Sequence, residues 1–234
     1  MIPKTIQAKL DEGRQYRNFN VSQFERRASE DGQKIVEGYA TTFNVPYELY
    51  REAWAGEIYI VREQIDSKAF DDADMNDVIM QYNHEGRVFA RNTNGTLELD
   101  PDAHGLHIRA NLGGTEIGRQ LFEEIEGGYT DKMSFGFRVG ADKRERTEER
   151  DEETGVTTIT VLRTITKIEK LYDVSAVSLP ANDATSISAR SFCDGVIEKL
   201  QAERLEAEKK EESERQAVIE AEARARELEL LSNS

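Results

Sequence analysis

Cysteine, histidine, proline and tryptophan are all scarce in this chain of 234 residues, with 1, 3, 4 and 1 copies respectively. One cysteine, Cys193, excludes an internal disulfide and any multi-cysteine metal site. It stands in Ser191-Phe-Cys-Asp194 without catalytic company and reads as a structural thiol. His84, His104 and His107 lack ligand spacing of the His-Glu-x-x-His kind, so no metal and no cofactor is expected. Positive charge is also short, with 31 Lys and Arg against 46 Asp and Glu and a formal net charge of -15. Counterion release needs Lys and Arg, so a nucleic-acid partner is not expected. No apolar run reaches membrane length, and Met1 to Glu12 has no continuous apolar core of a signal peptide. No membrane partner follows, and a cytoplasmic protein is expected.

What is present suits one ordinary domain with an appendage, since hydrophobic residues make up 38% and charged residues 33%. Residues 1–30 are polar with sparse anchors at Ile2, Ile6 and Leu10, and read as a weakly ordered arm. Strand signals begin at Lys34-Ile-Val-Glu-Gly-Tyr-Ala-Thr-Thr-Phe43 and recur at 57–62, 77–82, 89–91, 96–99 and 106–110, with turns at Asn94-Gly95 and Pro101 to Gly105. One helix interrupts them: Thr115 caps it, Ile117, Leu121, Phe122 and Ile125 form its apolar stripe, and Gly127-Gly128 end it. Ala141 to Gly155 is nearly all charged with both signs mixed, the composition of a solvated hairpin tip or flexible loop. Strands follow at 156–162 and 165–171. Short strands at this spacing predict an α+β fold with a mainly antiparallel β-barrel core and a few helices. The domain spans 31–192. From 193 to 234 the chain is dominated by Glu, Ala, Lys, Arg and Leu, which predicts a long, charged C-terminal helix.

In the centre lies Tyr129-Thr-Asp-Lys-Met-Ser-Phe-Gly-Phe-Arg-Val139. Met133, Phe135, Phe137 and Val139 alternate with Ser134, Gly136 and Arg138, the period of a strand with one face on a core. Ser134 then points away from the apolar row, and Gly136 leaves room on its face for a substrate backbone. Taken alone, such a serine more often does nothing on a solvated face. A serine nucleophile needs a base, for which His is the usual choice near neutral pH. His84 closes the apolar run Asp77-Val-Ile-Met-Gln-Tyr-Asn-His84 at a strand end, whereas His104 lies in a turn and His107 alternates with Leu106 and Ile108. An acid must orient the imidazole. Asp173 stands in the mostly apolar Lys170-Leu-Tyr-Asp-Val-Ser-Ala-Val-Ser-Leu-Pro-Ala-Asn182. An edge-strand Asp in water is the simple alternative.

Three stretches in this order, Asn83-His84 before Gly86-Arg87, Met133-Ser134-Phe135-Gly136-Phe137, and Asp173-Val-Ser-Ala-Val177 running into Pro180-Ala-Asn182, resemble the HK97-like prohead maturation proteases of tailed phages. The resemblance covers about residues 30–190 and implies Ser134 as nucleophile, His84 as general base and Asp173 as orienting acid. The family pattern more often has Glu at the acid position. The resemblance also implies a barrel related to the herpesvirus assemblin fold, whose third member is a His, so His104 and His107 stay open beside Asp173. It further implies a serine endopeptidase acting on the major capsid protein, on scaffold and on itself, inside the immature procapsid in the host cytoplasm, with a homo-oligomer left open. Backbone N–H groups near Ser134, aided by Arg87 or Arg138, are candidate oxyanion donors. Lys132 stands where the G-x-S-x-G elbow has its first Gly, which counts against a lipase-like hydrolase. The competing function is a non-catalytic assembly or scaffold protein that works through its acidic helical tail.

Overall fold

The computed structural model describes residues 4–19, 25–28, 33–178 and 183–232. Two compact units divide the chain, Met1–Ser191 and Phe192–Ser234. In the first unit a helix α1 (Lys4–Asp11) leads into strands β1 (Gln15–Phe19), β2 (Glu25–Ala28), β3 (Lys34–Thr42), β4 (Tyr47–Trp54) and β5 (Glu57–Ile65). After them come β6 (Ile79–Tyr82), β7 (Glu85–Arg91), β8 (Leu97–Pro101), β9 (Gly105–Asn111), helix α2 (Glu116–Glu126) and the long strands β10 (Lys132–Arg150) and β11 (Thr157–Val177).

The strands form a seven-stranded sheet, ordered β1-β10-β11-β5-β4 with β6 and β7 joined to it through β11, and a four-stranded sheet ordered β2-β3-β9-β8. An isolated bridge between Phe43 and Ile65 ties the two at one corner. The expected α+β fold of mostly antiparallel strands holds, but among the described residues no closed barrel is found. The larger sheet is mixed: β11 runs parallel to β5 over Thr157 to Ile165 and parallel to β6 over Asp173 to Ala176. β10 and β11 form one antiparallel hairpin, and its outer half is the charged run from Ala141 to Gly155, almost all exposed. Register shifts between Gly136 and Asp142 separate the buried half from the solvated half.

One core spans both sheets and α2, with Val36 and Ala40 of β3, Leu106 and Ile108 of β9, Phe135 and Phe137 of β10, and Leu121, Phe122 and Ile125 of α2 all buried. The α2 stripe faces this core as its period predicts, Thr115 Oγ1 accepts from Gly118 N at 3.1 Å, and the helix ends at Gly127. The N-terminal residues depart from the arm reading. Gln15–Phe19 is an edge strand paired with β10, and Tyr16 and Arg17 are 0% and 1% exposed.

Residues 192–232 continue a helix α3 (Asp183–Ser232), the long charged helix expected from composition. Pairs Lys199–Glu203 at 3.8 Å, Arg204–Glu208 at 2.9 Å and Lys210–Glu214 at 3.9 Å lie one turn apart on its surface. Cys193 is buried. No described helix is long and apolar enough to cross a membrane.

Candidate active site

β10 and β11 pair in a register that sets Ser134 opposite Ser175 and Gly136 opposite Asp173. On an antiparallel pair, directly opposed residues share a face, so these four lie together. On the far side of β11 the parallel strand β6 delivers the chain to a two-residue turn between Tyr82 and Glu85, with Asn83 at φ 50° and His84 at φ 61°. Two successive left-handed residues are the pattern of a tight hairpin turn, which Asn tolerates and His adopts at a cost of about 1–3 kcal/mol. Three bonds hold the turn: Asn83 N donates to Ala176 O at 3.1 Å, His84 N to Ser175 Oγ at 3.3 Å, and Lys9 Nζ to His84 O at 2.9 Å.

That turn swings the imidazole over the β10–β11 face. His84 Nε2 lies 2.6 Å from Ser134 Oγ, and His84 Nδ1 makes a short hydrogen bond with Asp173 Oδ1. Ser175 Oγ donates to the same Oδ1 at 3.1 Å, so one hydroxyl links the turn to the acid. Ser134, His84 and Asp173 are all 0% exposed. Burial by itself raises the Asp173 carboxyl pKa, but His84, the Arg14 guanidinium and the Ser175 hydroxyl outweigh it and hold the group below the usual carboxylate range. Arg14 Nη1 stands 3.7 Å from Asp173 Oδ2, and its guanidinium lies 3.7 Å over the Tyr172 ring. Burial, with Asp173 adding to it, pushes the Tyr16 hydroxyl well above its ordinary value, so this phenol stays neutral beside the site. The Tyr16 and His84 ring centroids are 4.4 Å apart.

Several expectations change here. Ser134 does not look onto a solvated face, because Tyr16, His84 and the acid cover it. The space at Gly136 is not open to a substrate: a Cβ there would meet Asp173 Oδ2 at 2.4 Å and Tyr16 Cε1 at 2.9 Å. Asp173 is a buried, paired carboxylate rather than one at a wet strand edge. His104 and His107 lie beside Tyr39 on the other sheet, with ring centroids 4.5 and 5.1 Å from it, and so are not brought to Ser134. The Arg138 guanidinium is held by Glu169 at 2.7 and 2.8 Å. Arg87 is exposed and, with Tyr82, Gly86, Phe89, Ile117 and Leu121, lines a cleft of ≈ 330 Å³ beside the His84 turn. No group of His, Cys, Asp and Glu among the described residues has the arrangement to hold a metal ion.

Sequence reasoning missed the N-terminal contributors Lys9, Arg14, Tyr16 and Arg17, and the bridging Ser175. The two aromatic residues Tyr16 and Phe19, a type favoured in strands, were the local signal for a strand there. Ser175 stood within the quoted acid motif, two residues after Asp173 and so on the same face.

A serine hydroxyl, an imidazole and a carboxylate in a hydrogen-bonded row can activate the hydroxyl for acyl transfer. Comparison with known families agrees with that chemistry: residues 22–196 match the model of the caudovirus prohead serine protease family. No curated protein and no solved structure matches the chain significantly. With most of its length matched, the chain belongs to the caudovirus prohead serine protease family and is a serine peptidase.

Proposed function

We propose that this chain is the endopeptidase that processes capsid and scaffold proteins, and itself, within the immature phage head. The observation that supports the site assignment most is the row Ser134 Oγ, His84 Nε2, His84 Nδ1, Asp173 Oδ1, continuous through hydrogen bonds in a buried setting. In this reading Asp173 holds the proton on Nδ1, which leaves Nε2 as an acceptor. Nε2 takes the Ser134 proton as Oγ attacks a peptide carbonyl carbon, and the imidazolium that forms is stabilised by the carboxylate. The same proton passes to the leaving amine, and a water activated by His84 then hydrolyses the acyl-serine. The depressed Asp173 pKa supports the assignment, because the carboxylate stays ionised throughout the neutral range. The protease domain is 31–192, and the acidic helix from 193 onward is an interaction segment for capsid or scaffold during assembly.

Intact mass over time for the wild-type chain and Ser134→Ala, alone and with the capsid protein, tests this. Fragments that form only when Ser134 is present are expected. If both proteins stay whole and a serine-directed phosphonate labels neither, the non-catalytic assembly reading replaces this one.

A further inference from the structure

We propose that residues 14–19 occupy the peptide-binding cleft in cis, with the Arg17–Asn18 bond at the scissile position, and that Glu63 heads a pocket selecting arginine before the cleaved bond. This rests on the serine-peptidase assignment above and names the substrate class of the same site.

The backbone supports the placement first. β1 is an edge strand that pairs antiparallel with β10 across the nucleophile, Arg17 opposite Phe135 and Asn18 opposite Ser134. Adding a strand to a sheet edge is a recurring way for a protein to hold an extended peptide. Ser134 Oγ donates to the Arg17 carbonyl oxygen at 2.9 Å, so the Arg17–Asn18 peptide lies against the hydroxyl. A hydroxyl has one hydrogen. His84 Nε2, 2.6 Å from the same oxygen, competes for it, and the contact with Arg17 is a resting one. Attack requires the hydrogen to turn to Nε2 and the carbonyl oxygen to pass to other donors.

The segment also contacts the rest of the site. The Tyr16 ring packs against His84 at a tilt of 57°, Arg14 stands beside Asp173, and Lys9 donates to the His84 carbonyl. An exogenous peptide cannot reach Ser134 while β1 is in place, so the enzyme is latent until the segment is cut or withdrawn.

The Arg17 side chain is held as a ligand would be. Its Nε lies 2.5 Å from Glu63 Oε1 and its Nη2 3.0 Å from Glu63 Oε2, a two-point match that guanidinium makes and ammonium does not. Glu63 is 0% exposed. It does not depend on Arg17 alone: Arg163 Nη1 donates to Oε2 at 2.8 Å and the Tyr47 hydroxyl to Oε1 at 2.5 Å. Arg163 is itself tied to Asp142 at 2.6 Å. When the Arg17 side chain leaves, the carboxylate keeps partners on both oxygens, and the pocket remains ready for another arginine. Arg17 precedes the family-matched residues 22–196, whereas Glu63 and the three site residues lie within them.

The step is a hydrolysis. Ser134 Oγ bonds to the Arg17 carbonyl carbon as its proton moves to His84. The carbon–nitrogen bond to Asn18 breaks, the proton goes to the Asn18 nitrogen, and water releases residues 1–17 with a new carboxylate at Arg17.

The test uses the full-length chain. Intact mass and N-terminal sequencing of the wild type should show a product beginning at Asn18 that is absent from Ser134→Ala, and Arg17→Glu should slow its formation at least about tenfold. Internally quenched peptides that differ only in the residue before the bond should be cut by the processed enzyme at least about tenfold faster with Arg than with Lys, and about 10²-fold faster than with Leu or Glu. Glu63→Gln should narrow that preference; if it does not fold, the wild-type peptide series decides alone. An enzyme that takes a serine-directed label and cleaves capsid protein, yet leaves Arg17–Asn18 whole or shows no preference for Arg, overturns this inference and leaves the proposed function standing. A wild-type chain that neither labels nor cleaves overturns both.

Discussion

Replacing Gly136 by Ala adds one methyl group at the point where Asp173, the N-terminal strand β1 and the Ser134 strand β10 meet. The new Cβ would stand 2.4 Å from Asp173 Oδ2, 3.1 Å from Asp173 Cγ and 2.9 Å from Tyr16 Cε1. Carbon and oxygen in ordinary contact stay about 3.5 Å apart, so the carboxylate must retreat by roughly 1 Å. Asp173 has no room for that, being 0% exposed and fastened through Oδ1 to His84 and Ser175. The retreat therefore comes out of the alignment of Oδ1 on His84 Nδ1. A misplacement of this size costs about 10²-fold in rate, roughly 2.7 kcal/mol of barrier, and overpacking of a filled site costs about 1–3 kcal/mol in stability. The rate at which a fluorophosphonate labels Ser134 in the processed enzyme, which lacks Tyr16 but keeps the clash with Asp173, measures the first effect, and the urea unfolding midpoint the second. Labelling within twofold of wild type would refute the reasoning, because it would mean that the acid moves freely or does not matter.

Asp173→Asn should lower the Ser134 labelling rate at pH 7 by about 10²–10⁴-fold while the fold survives by circular dichroism, since the imidazolium loses its counter-charge but the shape is kept. Acid should unfold the protein steeply. The Glu63 and Asp173 carboxyls both lie below the usual range in the folded state, where burial is outweighed by Arg17 and Arg163 for Glu63 and by His84 and Arg14 for Asp173. Their unfolded pKa values are about 4, so the stability they add is complete above about pH 5 and is lost as pH falls through 4 toward the lower folded values. Urea midpoints between pH 6 and 3 should fall less steeply in Glu63→Gln than in wild type. Thr115→Ala removes the cap on Gly118 N and should cost about 1 kcal/mol in the urea midpoint with labelling unchanged, because α2 contributes no group to the row at Ser134.

The buried Glu63 cluster has a cost whatever its role. A carboxylate between two guanidiniums is rarely worth more than an apolar replacement, whereas removing one partner leaves a stranded charge. Loss of the Arg17 side chain is moderated by Tyr47 and Arg163, as the bonds to each oxygen show. Loss of Glu63 removes the one carboxylate that Arg17 and Arg163 share, although Arg163 keeps Asp142 and Arg17 keeps Tyr16 O and Gln15 Oε1, so the peptide series, free of any substitution, carries the weight in testing the pocket.

Much of this protein was legible in its residues because the signals are local. The alternation of Met133, Phe135 and Phe137 marks the central strand, and Thr115 with Gly127 brackets the amphipathic helix α2. Mixed charge marks the solvated hairpin, and a run dominated by Glu, Ala, Lys, Arg and Leu without Gly or Pro after Gly195 marks the long C-terminal helix. Periodicity and turn chemistry act within a few residues, so a sequence carries them directly. His84, Ser134 and Asp173 could be named in order, but their meeting could not: Asp173 lies 89 residues from His84, and the contact depends on β6 running parallel to the end of β11 and on a left-handed turn at Asn83-His84. The same holds for the burial of Ser134, for the filled space at Gly136, for the distance of His104 and His107, and for β1, where a polar segment becomes an edge strand beside Ser134. Which strand pairs with which is settled by closing one core over both sheets at once, and that energy is shared among residues far apart in the chain.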